Sequence, residues 1–289
     1  MGRTAPIVAA LLLFASVRAA LAYTAAGDRT FPATILLPQA APADEFYMTP
    51  QTQPVTGGQT TKLDFTLDKT LTERLGVQLS DGYTWLGHDA GATLGGWQNL
   101  QLVVKYLAIR DAQHEALISL GVNREWGGTG AASIGAAASG ATTPTLYFAK
   151  GLGDLDLGYL RPLALEGVLG WQFADTAPRS DAVVSGLALE YSIPYLQSKV
   201  RALPLPDPLR AMTPLVEAFV VSPTGPSGGS RRSAVLGPGV SYAGEGWEFA
   251  IEALVPLSRG AGSGPGVAAQ LHFALDYFFP EAIGRPLFR

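Results

Sequence analysis

None of the 289 residues is a cysteine. That excludes a disulfide scaffold and any zinc site built on thiolates, so a large sheet or core has to hold the chain together. Basic residues are also short: 20 Lys and Arg stand against 24 Asp and Glu, a formal charge of -4. Nucleic acid is a poor partner for such a chain. Histidine occurs three times, at 88, 114 and 272, and no two lie at metal-ligand spacing. Beyond the N-terminus no stretch approaches the roughly 18 uninterrupted apolar residues that a spanning helix requires. With 34 glycines and 21 prolines, the composition suits a chain of many turns rather than long helices.

What is present begins with a leader pattern. Arg3 is the positive start, residues 7–16 the apolar run, and Ala20-Leu21-Ala22 the small-x-small cleavage site. Residues 1–22 are therefore expected to be a signal peptide cleaved near Ala22, which takes the formal charge from -4 to -6 by removing Arg3 and Arg18. Residues 23–55 follow, with Pro32, Pro38, Pro42, Pro50 and Pro54 spaced too closely for long strands or helices. An irregular segment is expected here, lying in the periplasm or plugging a barrel mouth.

From residue 56 to 289 the signal is alternation. In residues 246–279 Trp247, Phe249, Ile251, Ala253 and Val255 form one face, and Glu248 and Glu252 lie on the other. Val267, Ala269, Leu271, Phe273, Leu275 and Tyr277 repeat the parity against Gln270, His272 and Asp276. A period of two means strands, and one apolar face beside one carboxylate face means two different solvents. Lipid outside and water inside would supply them. The same pattern recurs in Leu63, Phe65 and Leu67, in Leu100 to Tyr106, in Ala116 to Val122, and in Leu163 to Phe173.

About eleven such segments are marked. Single-chain bacterial barrels have even strand numbers with both ends in the periplasm, so one more weakly marked strand is expected near residues 53–58. The fold class is all-β, an antiparallel up-and-down transmembrane barrel of about 12 strands, with 10 to 14 compatible with the pattern. Tight links near Leu71 and Arg110 fall on the periplasmic side, and the small-residue tract 127–143 reads as an exposed loop.

Several phrases occur in order along the mature chain: Asp28-Arg29-Thr30-Phe31, Asp44-Glu45, Asp68-Lys69-Thr70-Leu71-Thr72-Glu73-Arg74-Leu75, residues 96–106, Lys150-Gly151-Leu152-Gly153-Asp154-Leu155, Leu160-Arg161-Pro162, Leu189-Glu190-Tyr191-Ser192 and the ending 276–288. In these the chain resembles the meta-pathway phenol-degradation family of outer-membrane barrel transporters. The resemblance implies the fold, the outer membrane and a transport role, and names no substrate. One departure is the end of the chain. It runs past Phe279 and Pro280 to Phe288-Arg289, so either the last strand stops at Phe279 or Phe288 takes over as terminal aromatic.

Parity places Asp64, Asp68, Glu115, Glu125, Glu166, Glu190, Glu217, Glu248, Glu252 and Asp276 on the non-lipid face, with Lys62, Lys105 and His272. A wall of mainly one sign concentrates counterions, which points to a pore favouring cations or neutral solutes. The other reading is that these carboxylates are solvated or paired, as any polar barrel interior requires. Trp97, Trp126, Trp171, Tyr191, Trp247 and Tyr277 are expected to be interfacial anchors. Gly225-Pro226-Ser227-Gly228-Gly229 matches Gly-x-Ser-x-Gly, but no helix pattern follows to build a nucleophile elbow. No enzyme, cofactor or metal is expected. The function expected is passive movement of small hydrophobic or weakly polar compounds. The alternatives are a structural or surface-binding barrel without transport and, third, a lipid-modifying barrel enzyme. The partners expected are outer-membrane lipid, a small-molecule solute and the barrel-assembly machinery.

Overall fold

The computed structural model describes residues 24–89, 91–225 and 231–288. The leader 1–22 and Ser227 lie outside the described residues. The chain starts with a small antiparallel hairpin, β1 (Thr24–Ala26) and β2 (Arg29–Phe31), which forms a sheet of its own. The remaining strands form one closed sheet. In chain order its strands are β3 (Glu45–Val55), β4 (Gly58–Thr70), β5 (Leu75–His88), β6 (Thr93–Trp97), β7 (Gln101–Asp111), β8 (Ala116–Glu125), β9 (Ala141–Gly151), β10 (Leu163–Ala174), β11 (Ala182–Tyr191), β12 (Met212–Pro223), β13 (Ser233–Ala243), β14 (Trp247–Pro256) and β15 (Gly266–Ala274). Each pairs antiparallel with its sequence neighbour, and β15 pairs back onto β3, which closes the ring. Both β6 and β7 pair with β5 and together fill one position. The result is a 12-stranded up-and-down barrel, whose closure leaves no free sheet edge.

The alternation explains the wall. On β14, Phe249 and Ile251 are 40% and 42% exposed, whereas Glu248 and Glu252 on either side of them are 1% exposed. On β10, Leu169, Trp171 and Phe173 face out in the same way while Glu166 is buried. The first and last described residues, Thr24 and Phe288, lie at one end of the barrel, with the turns 71–74 and 112–115; this is the terminal end. The opposite, far end carries the loop 126–140 and the links between β10 and β11, β12 and β13, and β14 and β15.

Three expectations need correction. The weakly marked strand is not residues 53–58, which hold the turn at Thr56 and Gly57, but β3, upstream of it. The barrel therefore begins at Glu45, inside the stretch expected to be irregular. Pro50 is tolerated because only one ladder loses a bond: β3 pairs with β4 without interruption, and its ladder to β15 skips from Gln51 to Met48. Second, the loop 127–143 is shorter than expected, since β9 starts at Ala141; it folds back onto the rim through Ala131 N–H to the Trp97 carbonyl and Gly130 N–H to Asn99. Third, the last strand ends at Ala274. Leu275–Phe278 is one helical turn, because the Leu275 N–H turns to the Asp44 carbonyl and Phe279 N–H bonds back to Leu275. The tail then returns to the rim, where Phe288 N–H bonds the Leu71 carbonyl.

Candidate functional site

The lumen is filled from the terminal end by residues 24–44, which run inward as a long hairpin with its apex at residues 36–38. Its base is pinned by Arg29, fully buried. The guanidinium donates to Glu115 at 3.2 Å and to the carbonyls of Pro162 and Arg161 at 3.0 and 2.5 Å, and lies 3.9 Å from the centre of the Tyr195 ring. Planar, always charged and able to donate in several directions, arginine suits such a knot. Phe31 packs beside it against Leu107 and Leu117 of the inner wall.

Higher up, the wall carboxylates meet plug backbone. Glu248 accepts from Ala33 N–H at 3.2 Å. Glu217 accepts three successive amides: Ile35 on one oxygen at 2.8 Å, Leu36 and Leu37 on the other at 3.1 and 2.9 Å. An irregular segment has no ladder for its N–H groups, and the carboxylate stands in for one. Leu37 then packs against Tyr147, Val168 and Ala188. On the way back, Lys105 Nζ donates to the Gln39 carbonyl at 2.6 Å and sits 4.5 Å from the Tyr147 ring centre. At the rim Asp44 joins Lys69 and Thr70.

The residues singled out by parity are thus brought together, in two zones. Asp68, Glu166, Glu190, Glu217, Glu248, Glu252, Lys105 and His272 all point inward and are buried at the level of the plug. His272 Nε2 lies 3.0 Å from Glu45 and Nδ1 4.0 Å from Glu248, with Tyr47 edge-on and its hydroxyl donating to Asp68 at 2.8 Å. Among the described residues the side chains of Glu190 and Glu252 find no hydrogen-bond partner. Glu115 is inside but comes from the β7–β8 turn rather than from a strand, with φ 49°. Lys62 and Asp64 line the far half, where Asp64 accepts from Gln51 and Gln98 at 2.7 and 2.6 Å. Asp276 departs from expectation: it belongs to the helical turn after β15, at the rim of the terminal end beside Asp44 and Glu45. Burial and the neighbouring Glu45 carboxylate raise its pKa.

The expected anchors all face outward, in two rows. Trp97, Trp126 and Trp171 are at the far end, Tyr191, Trp247 and Tyr277 at the terminal end. His88 ends β5 and His114 lies in the β7–β8 turn, hydrogen-bonded to Asp111 at 2.7 Å. Among the described residues no group of three His, Asp or Glu could hold a metal. Sequence reasoning missed Arg29, Tyr195 and the plug amides as partners of the wall. For the amides no signal exists, since a backbone N–H has no residue signature.

Beyond the apex, the lumen continues to the far end as adjoining cavities of about 220, 390 and 230 Å³. The sequence matches no protein-family model, the phenol-degradation family included, and no curated protein. By structure the chain is similar to the NanC porin, at 9% identity and TM-score 0.51 over 79% of this chain and 98% of that one. It is also similar to the KdgM porin (12% identity, TM-score 0.49, covering 79% and 98%) and to an outer-membrane channel from Pseudomonas putida F1 (12%, 0.49, 84% and 99%).

Proposed function

We propose that this protein is a bacterial outer-membrane channel that moves small hydrophobic or weakly polar solutes passively and without catalysis, with residues 24–44 as its internal barrier. The single observation that carries the reading is the inverted wall. A closed barrel whose outer side chains are Phe249, Ile251, Leu169 and Trp171, and whose buried inner face holds glutamates, is built to stand in lipid. The two outward aromatic rows suit the two membrane interfaces. The terminal end, with the tight turns 71–74 and 112–115, belongs in the periplasm, and the far end outside. The phrases that resemble the meta-pathway phenol-degradation family support a transport role, without naming a solute.

The plug changes the expectation of a cation-selecting lumen. A solute entering from outside meets the far-end cavities first, while Glu217 and Glu248 are already engaged by plug amides. The test is conductance of the refolded mature protein in a planar bilayer under a salt gradient, beside a variant lacking residues 24–44. Discrete steps that grow in size or open time without the plug support a gated path. A folded, inserted protein that stays silent in both forms overturns transport and leaves the second reading, a surface-binding barrel, which the filled lumen favours.

A further inference from the structure

The far-end cavities carry a charge opposite to that of the buried lumen. The first is formed where the β14–β15 link folds over β3 and β4, and Lys62 and Arg259 line it together with Gln51, Gln53 and Thr60. The second shares Thr60 and Lys62 with the first, and adds the amides of Gln98, Asn99 and Gln101. The third shares Gln101 and Glu125 with the second, and its wall is Tyr147, Val168, Val184, Phe219 and Val221 above Pro38 of the plug. One continuous vestibule therefore runs from a cationic side to an apolar side.

Four other charges near this mouth are taken up in two ion pairs. Arg124 makes a two-pronged pair with Asp175 at 2.7 and 2.6 Å, and Arg179 holds Glu125 at 2.6 Å. Asp64, two residues along the same face as Lys62, accepts from the neutral amides of Gln51 and Gln98, which occupy its oxygens without cancelling its charge, so Lys62 and Arg259 together leave one net positive charge beside it. Among the described residues no carboxylate lies within 4.0 Å of Lys62 or Arg259. Two cations with unused donors, facing a small cavity with low-dielectric walls, attract an anion and repel a cation. Across the second cavity from them, in the third, stands a surface that rewards an apolar body.

We propose that this vestibule is a binding site for organic monoanions with a compact apolar body, the carboxylate held by Lys62 and Arg259 and the body against the Phe219 and Val221 wall. This deepens the channel reading by naming a solute class, and rests on it only for the direction of entry. Binding is testable without transport. The mature full chain in phosphatidylcholine nanodiscs is titrated calorimetrically with 4-phenylbutyrate, 4-phenylbutylamine and butyrate. The acid is expected to bind roughly tenfold or more tightly than the amine, because charge-assisted hydrogen bonds are gained by one and repulsion by the other. Butyrate, lacking the ring, is expected to bind at least tenfold more weakly than the ring acid. K62Q/R259Q should abolish the acid preference and K62E/R259E should reverse it, an outcome only a folded protein can give. Equal binding of acid and amine by the natural protein, a preference that survives K62Q/R259Q, or butyrate binding as tightly as phenylbutyrate would overturn the proposal. Conductance without acid preference sinks this site and leaves the channel; acid preference in a silent barrel sinks the channel and leaves the site.

Discussion

Replacing Glu217 by glutamine changes one atom at the point where the plug is held most densely. The residue is fully buried and its side-chain volume is unchanged, so no cavity opens. Both carboxylate oxygens are in use, one by Ile35 N–H and the other by Leu36 and Leu37 N–H. Glutamine keeps one acceptor oxygen, which can serve the adjacent pair, and turns an NH2 group toward the third amide. One hydrogen bond is lost, its donor is left unsatisfied, and the remaining two lose charge assistance. The cost is about 1–3 kcal/mol, concentrated in the plugged state. Release of the plug should therefore rise about 5- to 150-fold in equilibrium. Amide hydrogen exchange at Ile35, Leu36 and Leu37 reads this directly, since exchange tracks the open population while reclosing is fast. The open-time fraction in a planar bilayer should rise by the same order. Exchange at these three amides unchanged from the natural protein would refute the reasoning, because it would mean that Glu217 bears no part of the plug's hold.

Arg29→Met removes the buried partner of Glu115, and a buried charge left alone costs about 3–5 kcal/mol; limited proteolysis should then cut within residues 24–44 while the barrel itself stays resistant, and a plug as protected as before would contradict the knot described at its base. The Arg124–Asp175 tether at the far rim should depend on acidity. Its hydrogen bond to Arg124 holds the Asp175 carboxyl below its ordinary value, so the tether is fully present above about pH 4 and is lost as pH falls through the lowered value; carbon NMR of the Asp175 carboxyl checks the midpoint. Trp97 and Trp171 stand exposed at the far end of the wall. Lipids brominated near the headgroup should quench their fluorescence more strongly than lipids brominated at the chain ends, and the reverse order would place the aromatic rows at the wrong height.

The wall was legible in the sequence because period two is imposed by geometry on every residue of a strand, and lipid punishes each error separately. Glu248, Ile251, Glu252 and His272 could be assigned to faces from parity alone. Parity failed where a local bond overruled the pattern. Leu275 and Tyr277 continue the odd-numbered apolar series, yet Leu275 N–H turns to Asp44 and the strand ends. Pro50 and Pro54 argued against a strand at 45–55, but a proline removes a bond from one ladder only. The site was half legible. Which residues face inward followed from their spacing; what they face did not, because the partners of Glu217 and Glu248 are amides of a segment whose own sequence has no periodicity. The sign of the mouth was hidden for a related reason. Arg259 lies in a link, where no repeat tells which way a side chain turns.

The plug is the earliest described part of the chain, and its holding points come late. Ile35 to Leu37 reach Glu217 across some 180 residues, and Ala33 reaches Glu248 across 215. Contacts of such separation cannot guide early steps, since their loop closure must be met before they reward it. Glu217 and Glu248 also sit on different strands, β12 and β14, so their common aim exists only once both have paired with β13. Seating the cork and shutting the vessel thus belong to the same late stage of assembly, since β15 meets β3 across as long a stretch of chain. Until then Glu217 and Glu248 lack the amides that will hold the cork in place.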